Sequence, residues 1–300
     1  MSYSRPLFVP IAVRDSRLAE KYRLHLFRQG GLDPLDKLTG VPALFIPGHA
    51  GSYKQARSIA AEVAEVYQNQ FHGDVHYASL DMFTVDLNEE FTALHGGLIL
   101  DQAEYLNDAI AQILLLYQHQ RLPGRPLPAS VLIVGHSMGG IVARIMPCLP
   151  NYKDRTINTI LTLATPHATP PVILDDTMLQ LYQMILPQQG YPNDTAVISI
   201  AGGSLDTIVN SDTVALPVLP TTWTAFATGI PHVWTGCDHM AILWCNQLVK
   251  KVAAMLVEIT DPSSPWQTRS IDQRMGIIRK HLSHSPHVQI DGSSQRSPSD

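Results

Sequence analysis

The chain is poor in cysteine, in basic clusters and in long apolar runs, and each scarcity removes a class of protein. Three cysteines in 300 residues, Cys148, Cys237 and Cys245, are too few for a disulfide scaffold, and an odd count leaves at least one thiol outside any internal pair. They are expected to be buried, reduced packing residues, with Cys237 and Cys245 the two that could bridge in an oxidising compartment. No Cys/His spacing resembles a metal site, and the thirteen histidines are scattered, so no metal is expected. Neither a G-x-G-x-x-G turn nor a P-loop occurs, which argues against a nucleotide cofactor. Lys and Arg total 21 against 26 Asp and Glu, a net charge of −5, and with no basic block nothing suggests nucleic acid as a partner. The opening Met1-Ser2-Tyr3-Ser4-Arg5-Pro6 lacks a basic n-region leading into an apolar h-region, so no signal peptide is expected. The longest helical apolar stretch, residues 109–117, is far too short to cross a bilayer. Read alone, the chain is expected to be soluble and without a transmembrane segment.

What is present is apolar content enough for one sizeable domain, 45% of residues, and one informative pentapeptide. Gly135-His136-Ser137-Met138-Gly139 follows the apolar run Ser130-Val131-Leu132-Ile133-Val134 and passes into Gly140-Ile141-Val142-Ala143-Arg144-Ile145. Strand, sharp turn and helix in that order make a nucleophile elbow, in which a strained turn lifts the serine hydroxyl out of the sheet. Small neighbours let strand and helix approach closely, and the helix N-terminus faces the place where negative charge develops in acyl transfer. The competing reading is a glycine-rich turn whose serine merely caps a helix.

Elsewhere strands and helices alternate. Strands are expected at 41–47, 75–80, 130–134, 156–164 and 195–201, with helices at 53–70, 101–119, 175–186 and 240–259. That alternation predicts an α/β fold of the α/β-hydrolase type, a mainly parallel sheet with helices on both faces. The hydrolase domain is placed at 1–260. A linker and short amphipathic helix follow at 261–282, the helix at 271–281 carrying Met275, Ile278 and Leu282, and residues 283–300 read as a disordered tail.

In this fold the order is Ser, then Asp or Glu, then His. His239, on the loop before the last long helix, is the expected base; His167 comes too early, and His232 is expected to precede the last strand. Asp206, in Gly202-Gly203-Ser204-Leu205-Asp206 after the strand at 195–201, is the expected acid, ahead of Asp212 and Asp238. It would hold the His239 tautomer and stabilise the imidazolium. The oxyanion hole needs two backbone N–H groups. Met138 supplies one, and Ala50 or Gly51 in Pro47-Gly48-His49-Ala50-Gly51-Ser52 is expected to supply the other. Arg57 and Arg144 could meet a phosphate, although surface or structural roles compete. The stretch 81–97 could form part of a cap or an ordinary connection.

Beyond single motifs, Pro47-Gly48-His49-Ala50-Gly51-Ser52-Tyr53-Lys54-Gln55-Ala56-Arg57 resembles the signature of the GPI inositol-deacylase family, which usually has Asn where His49 stands. The resemblance runs through Asp86-Leu87-Asn88-Glu89-Glu90-Phe91, Asp101-Gln102-Ala103-Glu104-Tyr105, the elbow, Thr165-Pro166-His167, Ala201-Gly202-Gly203 with Asp206, and Asp238-His239-Met240-Ala241-Ile242-Leu243-Trp244-Cys245. Residues 274–282 also resemble a motif that follows the hydrolase domain there. It implies an endoplasmic-reticulum serine esterase that removes the acyl chain from the inositol of GPI anchors, with Ser137 matching the nucleophile and no metal or organic cofactor required. The implied partners are acylated GPI anchors or other lipid esters and GPI-anchored proteins, with membrane contact possible. Members of that family carry an N-terminal membrane anchor and a long multi-spanning C-terminal region. Neither is in this sequence, so a truncated form is expected. A generic soluble lipase or esterase, and a non-catalytic binding module, are the alternative functions.

Overall fold

Runs rich in Val, Ile, Leu and Phe pair into the centre of one sheet, where side chains are needed on both faces. The computed structural model describes residues 5–120, 122, 124–185 and 194–283. Its strands are β1 (Pro6–Ile11), β2 (Arg23–Gln29), β3 (Val41–Ile46), β4 (Leu80–Asp86), β5 (Val131–His136), β6 (Ile157–Leu163), β7 (Ala196–Ala201) and β8 (Thr222–Phe226). They lie in the order β1-β2-β4-β3-β5-β6-β7-β8. Strands β3 to β8 run parallel, while β1 and β2 join antiparallel beside β4. Every residue of β3, β5, β6 and β7 is buried.

Successive residues point to opposite faces. Phe45, Leu132 and Leu161 face one core, with α1 (Arg57–Val66), α5 (Asn246–Glu258) and α6 (Ile271–Leu282). Leu44, Ile133 and Ile160 face the other, with α2 (Gly96–His119), α3 (Met138–Ile145) and α4 (Asp176–Ile185). This is the expected α/β-hydrolase arrangement.

Several elements depart from expectation. The strand placed at 75–80 lies at β4 instead. Gly73 takes a left-handed φ of 87°, and Val75 sits in the turn that follows with 77% of its surface exposed. Strands β1, β2 and β8 escape a search for apolar runs. Edge strand β1 contains Pro6 and Pro10, which an edge tolerates. Strand β2 carries Arg28, buried through a 2.6 Å ion pair with Asp81. The helix expected from 240 starts properly only at Asn246, after a 3-10 turn at Ala241–Leu243. Helix α6 is not set apart: Met275, Ile278 and Leu282 join the core of α1 and α5. Residues 284–300, the rest of the expected tail, and residue 186 lie outside the described residues.

Candidate active site

The parallel strands β5, β7 and β8 end on the same edge of the sheet, where ligands of open α/β sheets bind. The elbow leaves β5. Ser137 has φ 51° and ψ −127°, a conformation side chains other than glycine rarely adopt. The structure fixes it there: Ser137 N–H donates to Leu163 O at 2.9 Å, and Thr165 Oγ1 donates to Ser137 O at 2.9 Å. Gly139 is required by close approach, since a Cβ there would lie 2.3 Å from Ile46 O.

Ser137, His239 and Asp206 come together in one chain of hydrogen bonds. The Ser137 hydroxyl donates to His239 Nε2 at 2.9 Å. His239 Nδ1–H donates to Asp206 Oδ2 at 3.0 Å. The other carboxylate oxygen of Asp206 accepts the N–H groups of Val209 at 2.9 Å and Ile208 at 3.0 Å. Burial pushes the Asp206 carboxyl up, but His239 and those two amides outweigh it and leave the group below the usual carboxylate range. All three side chains are buried. Such a set can pass a proton from hydroxyl to imidazole while the carboxylate supports the cation that forms.

The rejected candidates lie elsewhere. Both His232 and His239 follow β8, contrary to the expected order, yet His232 is exposed with its ring beside Trp234. His167 is buried, with Nε2 on Thr162 Oγ1 at 2.8 Å and Nδ1 on an Arg144 N–H at 3.3 Å. Asp238 accepts the Met240 and Ala241 N–H groups and so caps the 3-10 turn, and Asp212 lies in a separate 3-10 turn. Arg144 is structural, buried and bonded to Ile185 O.

The loop expected to supply an oxyanion donor, residues 47–52, differs in detail from expectation. Ala50 N–H donates to Glu90 O at 2.9 Å, and Gly51 N–H donates to Gly48 O at 3.0 Å, so both expected donors are occupied. The N–H groups of Met138 and His49 make no hydrogen bond among the described residues. His49 Nδ1 accepts the Ala93 N–H at 3.0 Å. An Asn side-chain oxygen reaches much the same place, which explains physically how either residue can hold this loop. Residues 87–95 are therefore a connection that buttresses the loop at residues 47–52, anchored by Glu90, which also accepts Tyr22 Oη at 2.7 Å and pairs with Lys21 at 3.0 Å.

One further residue at the site has little signal in the sequence. His136 Nε2–H donates to the backbone oxygen of His239 at 2.9 Å, tying the elbow to the His239 loop. Burial, helped by His239, lowers its pKa to about 4, so it stands neutral. The only sequence signal for it is a histidine at the first variable position of G-x-S-x-G.

A match to the family described as PGAP1-like alpha/beta domain covers residues 37–259. The chain belongs to that family. Among curated relatives, the protein named GPI inositol-deacylase from Chaetomium globosum is 45% identical over 93% of this chain and 27% of its own length. The protein of the same name from Kluyveromyces lactis is 44% identical over 93% of this chain and 31% of its own length. This chain thus spans about a quarter to a third of such relatives. Among solved structures, Pyrococcus horikoshii acylaminoacyl peptidase matches with a TM-score of 0.50 at 8% identity, covering 88% of this chain and 43% of that one; at that identity the likeness shows the fold alone. The PGAP1-like match ends at 259, whereas the shared core runs on to Leu282. Among the described residues no helix is long and apolar enough to cross a membrane, and no cluster of three His, Cys, Asp or Glu is placed to hold a metal.

Proposed function

We propose that this PGAP1-like domain is a serine carboxylic-ester hydrolase that removes the acyl chain from the inositol of GPI anchors. The observation that carries the reading is the unbroken relay from Ser137 Oγ through His239 to Asp206, at 2.9 and 3.0 Å. Curated relatives named GPI inositol-deacylase supply the substrate class. In the proposed cycle, His239 takes the Ser137 proton as Oγ attacks the ester carbonyl. The N–H groups of Met138 and His49 receive the negative charge of the tetrahedral intermediate. His239 returns the proton to the departing inositol oxygen, leaving an acyl-serine. Water, deprotonated by His239, then releases the fatty acid and regenerates Ser137. His136 positions the base by holding the His239 carbonyl. GPI-anchored proteins at the endoplasmic-reticulum membrane would be the setting, and residues 1–260 extended by α6 the catalytic unit.

The test is labelling by a fluorophosphonate probe of the protein beside Ser137→Ala and His239→Ala. Labelling of the wild type that both substitutions abolish is expected. Absence of labelling in the folded wild type would overturn the reading in favour of a binding module. Turnover of p-nitrophenyl butyrate without release of fatty acid from acyl-inositol GPI would instead identify a generic esterase.

A further inference from the structure

Residues 47–57 supply the loop at 47–52, but their remaining part takes no role in the proposed reaction. That part is a 3-10 turn, Tyr53–Ala56, which runs into α1 at Arg57. Lys54 and Arg57 are three residues apart, the spacing at which side chains of such a turn stand one above the other. Both are exposed. The Lys54 ammonium lies over the Tyr53 ring at 5.6 Å, and neither side chain makes an ion pair among the described residues. By contrast, Arg17, Lys21 and Arg28 each sit on a carboxylate. In a chain of net charge −5, two adjacent cations without a counter-charge call for a ligand of their own.

Both cations line one cavity of about 390 Å³, whose other walls include Ser52, Ser58, Met240 and Trp244. Two of those walls belong to the segments that hold Ser137. Ser52 ends the loop in which Gly48 packs on the elbow, so closely that an added Cβ would lie 2.6 Å from the Ser137 Cβ. Met240 follows His239, whose Nε2 accepts the Ser137 hydroxyl at 2.9 Å. The cavity thus lies between the two segments that flank the candidate nucleophile. Its lining is mixed. Two cations and two serines stand with Met240 and Trp244, which are 44% and 61% exposed. A phosphate ester on a carbon ring matches that mixture. Arg binds two phosphate oxygens at once and Lys adds a point charge, while the thioether and the indole cover the C–H faces of the ring. A long polyanion would need a basic stripe, and this surface offers two charges.

On the reading that the substrate is an inositol ester, we propose that Lys54 and Arg57 form a phosphodiester subsite that holds the departing inositol by its ring phosphate. The inositol of a GPI anchor carries that phosphodiester on the same ring as the acylated oxygen. A subsite for it must therefore border the reacting serine, as the walls of this cavity do. The phosphate keeps its charge in ester, transition state and product, so the contact stabilises all of them alike and acts on KM more than on kcat. It also discriminates: an ester whose alcohol carries no anion gains nothing from the two cations.

The test is calorimetric titration of the folded protein with glycerophosphoinositol, the headgroup phosphodiester without acyl chains, beside myo-inositol and glycerophosphoglycerol. Glycerophosphoinositol should bind most tightly, and added salt should weaken it. Lys54→Gln and Arg57→Gln should each weaken binding by about fivefold, and the two together by more. Lys153→Gln, an exposed lysine before β6 at the other edge of the sheet, should leave it as it is. In turnover of acyl-inositol GPI the double substitution should raise KM by more than it lowers kcat. Bound glycerophosphoinositol should also slow fluorophosphonate labelling of Ser137. Binding that the double substitution leaves intact, equal binding of glycerophosphoglycerol, or labelling that the bound headgroup does not slow would overturn the subsite. The titration needs no turnover, so the two readings fail separately. Labelled Ser137 without headgroup binding overturns the subsite alone, whereas headgroup binding without labelling overturns the hydrolase and sustains the subsite.

Discussion

Gly48 and Ser137 approach so closely that a Cβ on Gly48 would lie 2.6 Å from the Ser137 Cβ and 2.8 Å from His136 O. The loop at residues 47–52 and the elbow are therefore packed against each other with no room for a methyl group, and the position of each depends on the other. Gly48→Ala must push the two apart. A displacement near 1 Å at a reacting centre costs about a hundredfold in rate, so kcat for p-nitrophenyl butyrate should fall by about that factor. Gly229→Ala, where no atom lies within 4 Å of the added Cβ, should leave kcat unchanged. Equal rates in the two variants would show that the loop does not set the geometry.

The carboxylate partner of His239 gives a second expectation. Asp206→Asn keeps the shape but puts an amide against Nδ1, and the imidazole is free to adopt the other tautomer. The rate should fall by about 10⁴. Asp238→Asn, beside the histidine in sequence but capping the turn at Met240 and Ala241, should change kcat by less than tenfold. A reversal of these two effects in steady-state kinetics would reassign the acid.

How far the sequence discloses this arrangement depends on how local the determining signal is. The elbow is legible because strand, serine turn and helix are consecutive residues, and β3, β6 and β7 because their short runs are dominated by apolar and β-branched residues. The candidate acid and base, Asp206 and His239, follow from chain order, which the fold constrains. By contrast, β2 is stabilised by the partnership of Arg28 with Asp81, 53 residues away, and no run of apolar residues announces it. The loop at residues 47–52 shows the same limit. That Ala50 N–H is taken by Glu90 O follows from how residues 87–95 fold back, which composition around Gly48 does not encode. Helix α6 was legible as an amphipathic pattern, but its destination was not.

Acid should weaken the fold through its buried histidines. Burial lowers His136 to about 4, and burial with Arg144 lowers His167 well below the ordinary value of 6.5. In the unfolded chain both return to about 6.5, so below that pH the unfolded state takes up protons the native state refuses. Stability is thus intact above pH 6.5 and declines as pH falls, for His136 by roughly 3 kcal/mol on reaching pH 4. Asp206 adds to the loss at lower pH, since its depressed folded pKa stabilises only while the carboxylate is ionised. The melting temperature should drop between pH 7 and pH 5, and His136→Gln should flatten that slope. A slope unchanged by the substitution would place the acid sensitivity elsewhere.

Arg274 decides where the folding unit ends. Its guanidinium is buried, donating to Asn158 O, to Thr159 Oγ1 at 2.8 Å and to Asp194 O at 2.5 Å, so α6 is fastened to the start of β6 and the residues before β7. Burial lowers its pKa to about 10, which still leaves it charged at neutral pH. Arg274→Met keeps most of the stem but abandons these acceptors together with Arg269 O, which its Nε–H reaches at 3.0 Å, and it should cost about 3 kcal/mol in denaturant unfolding. Ending the chain at residue 260 should cost more, because Met275, Ile278 and Leu282 would leave apolar surface of α5 and β8 uncovered; such a chain is expected to aggregate. A soluble 1–260 chain melting where the wild type does would put the boundary back at residue 260.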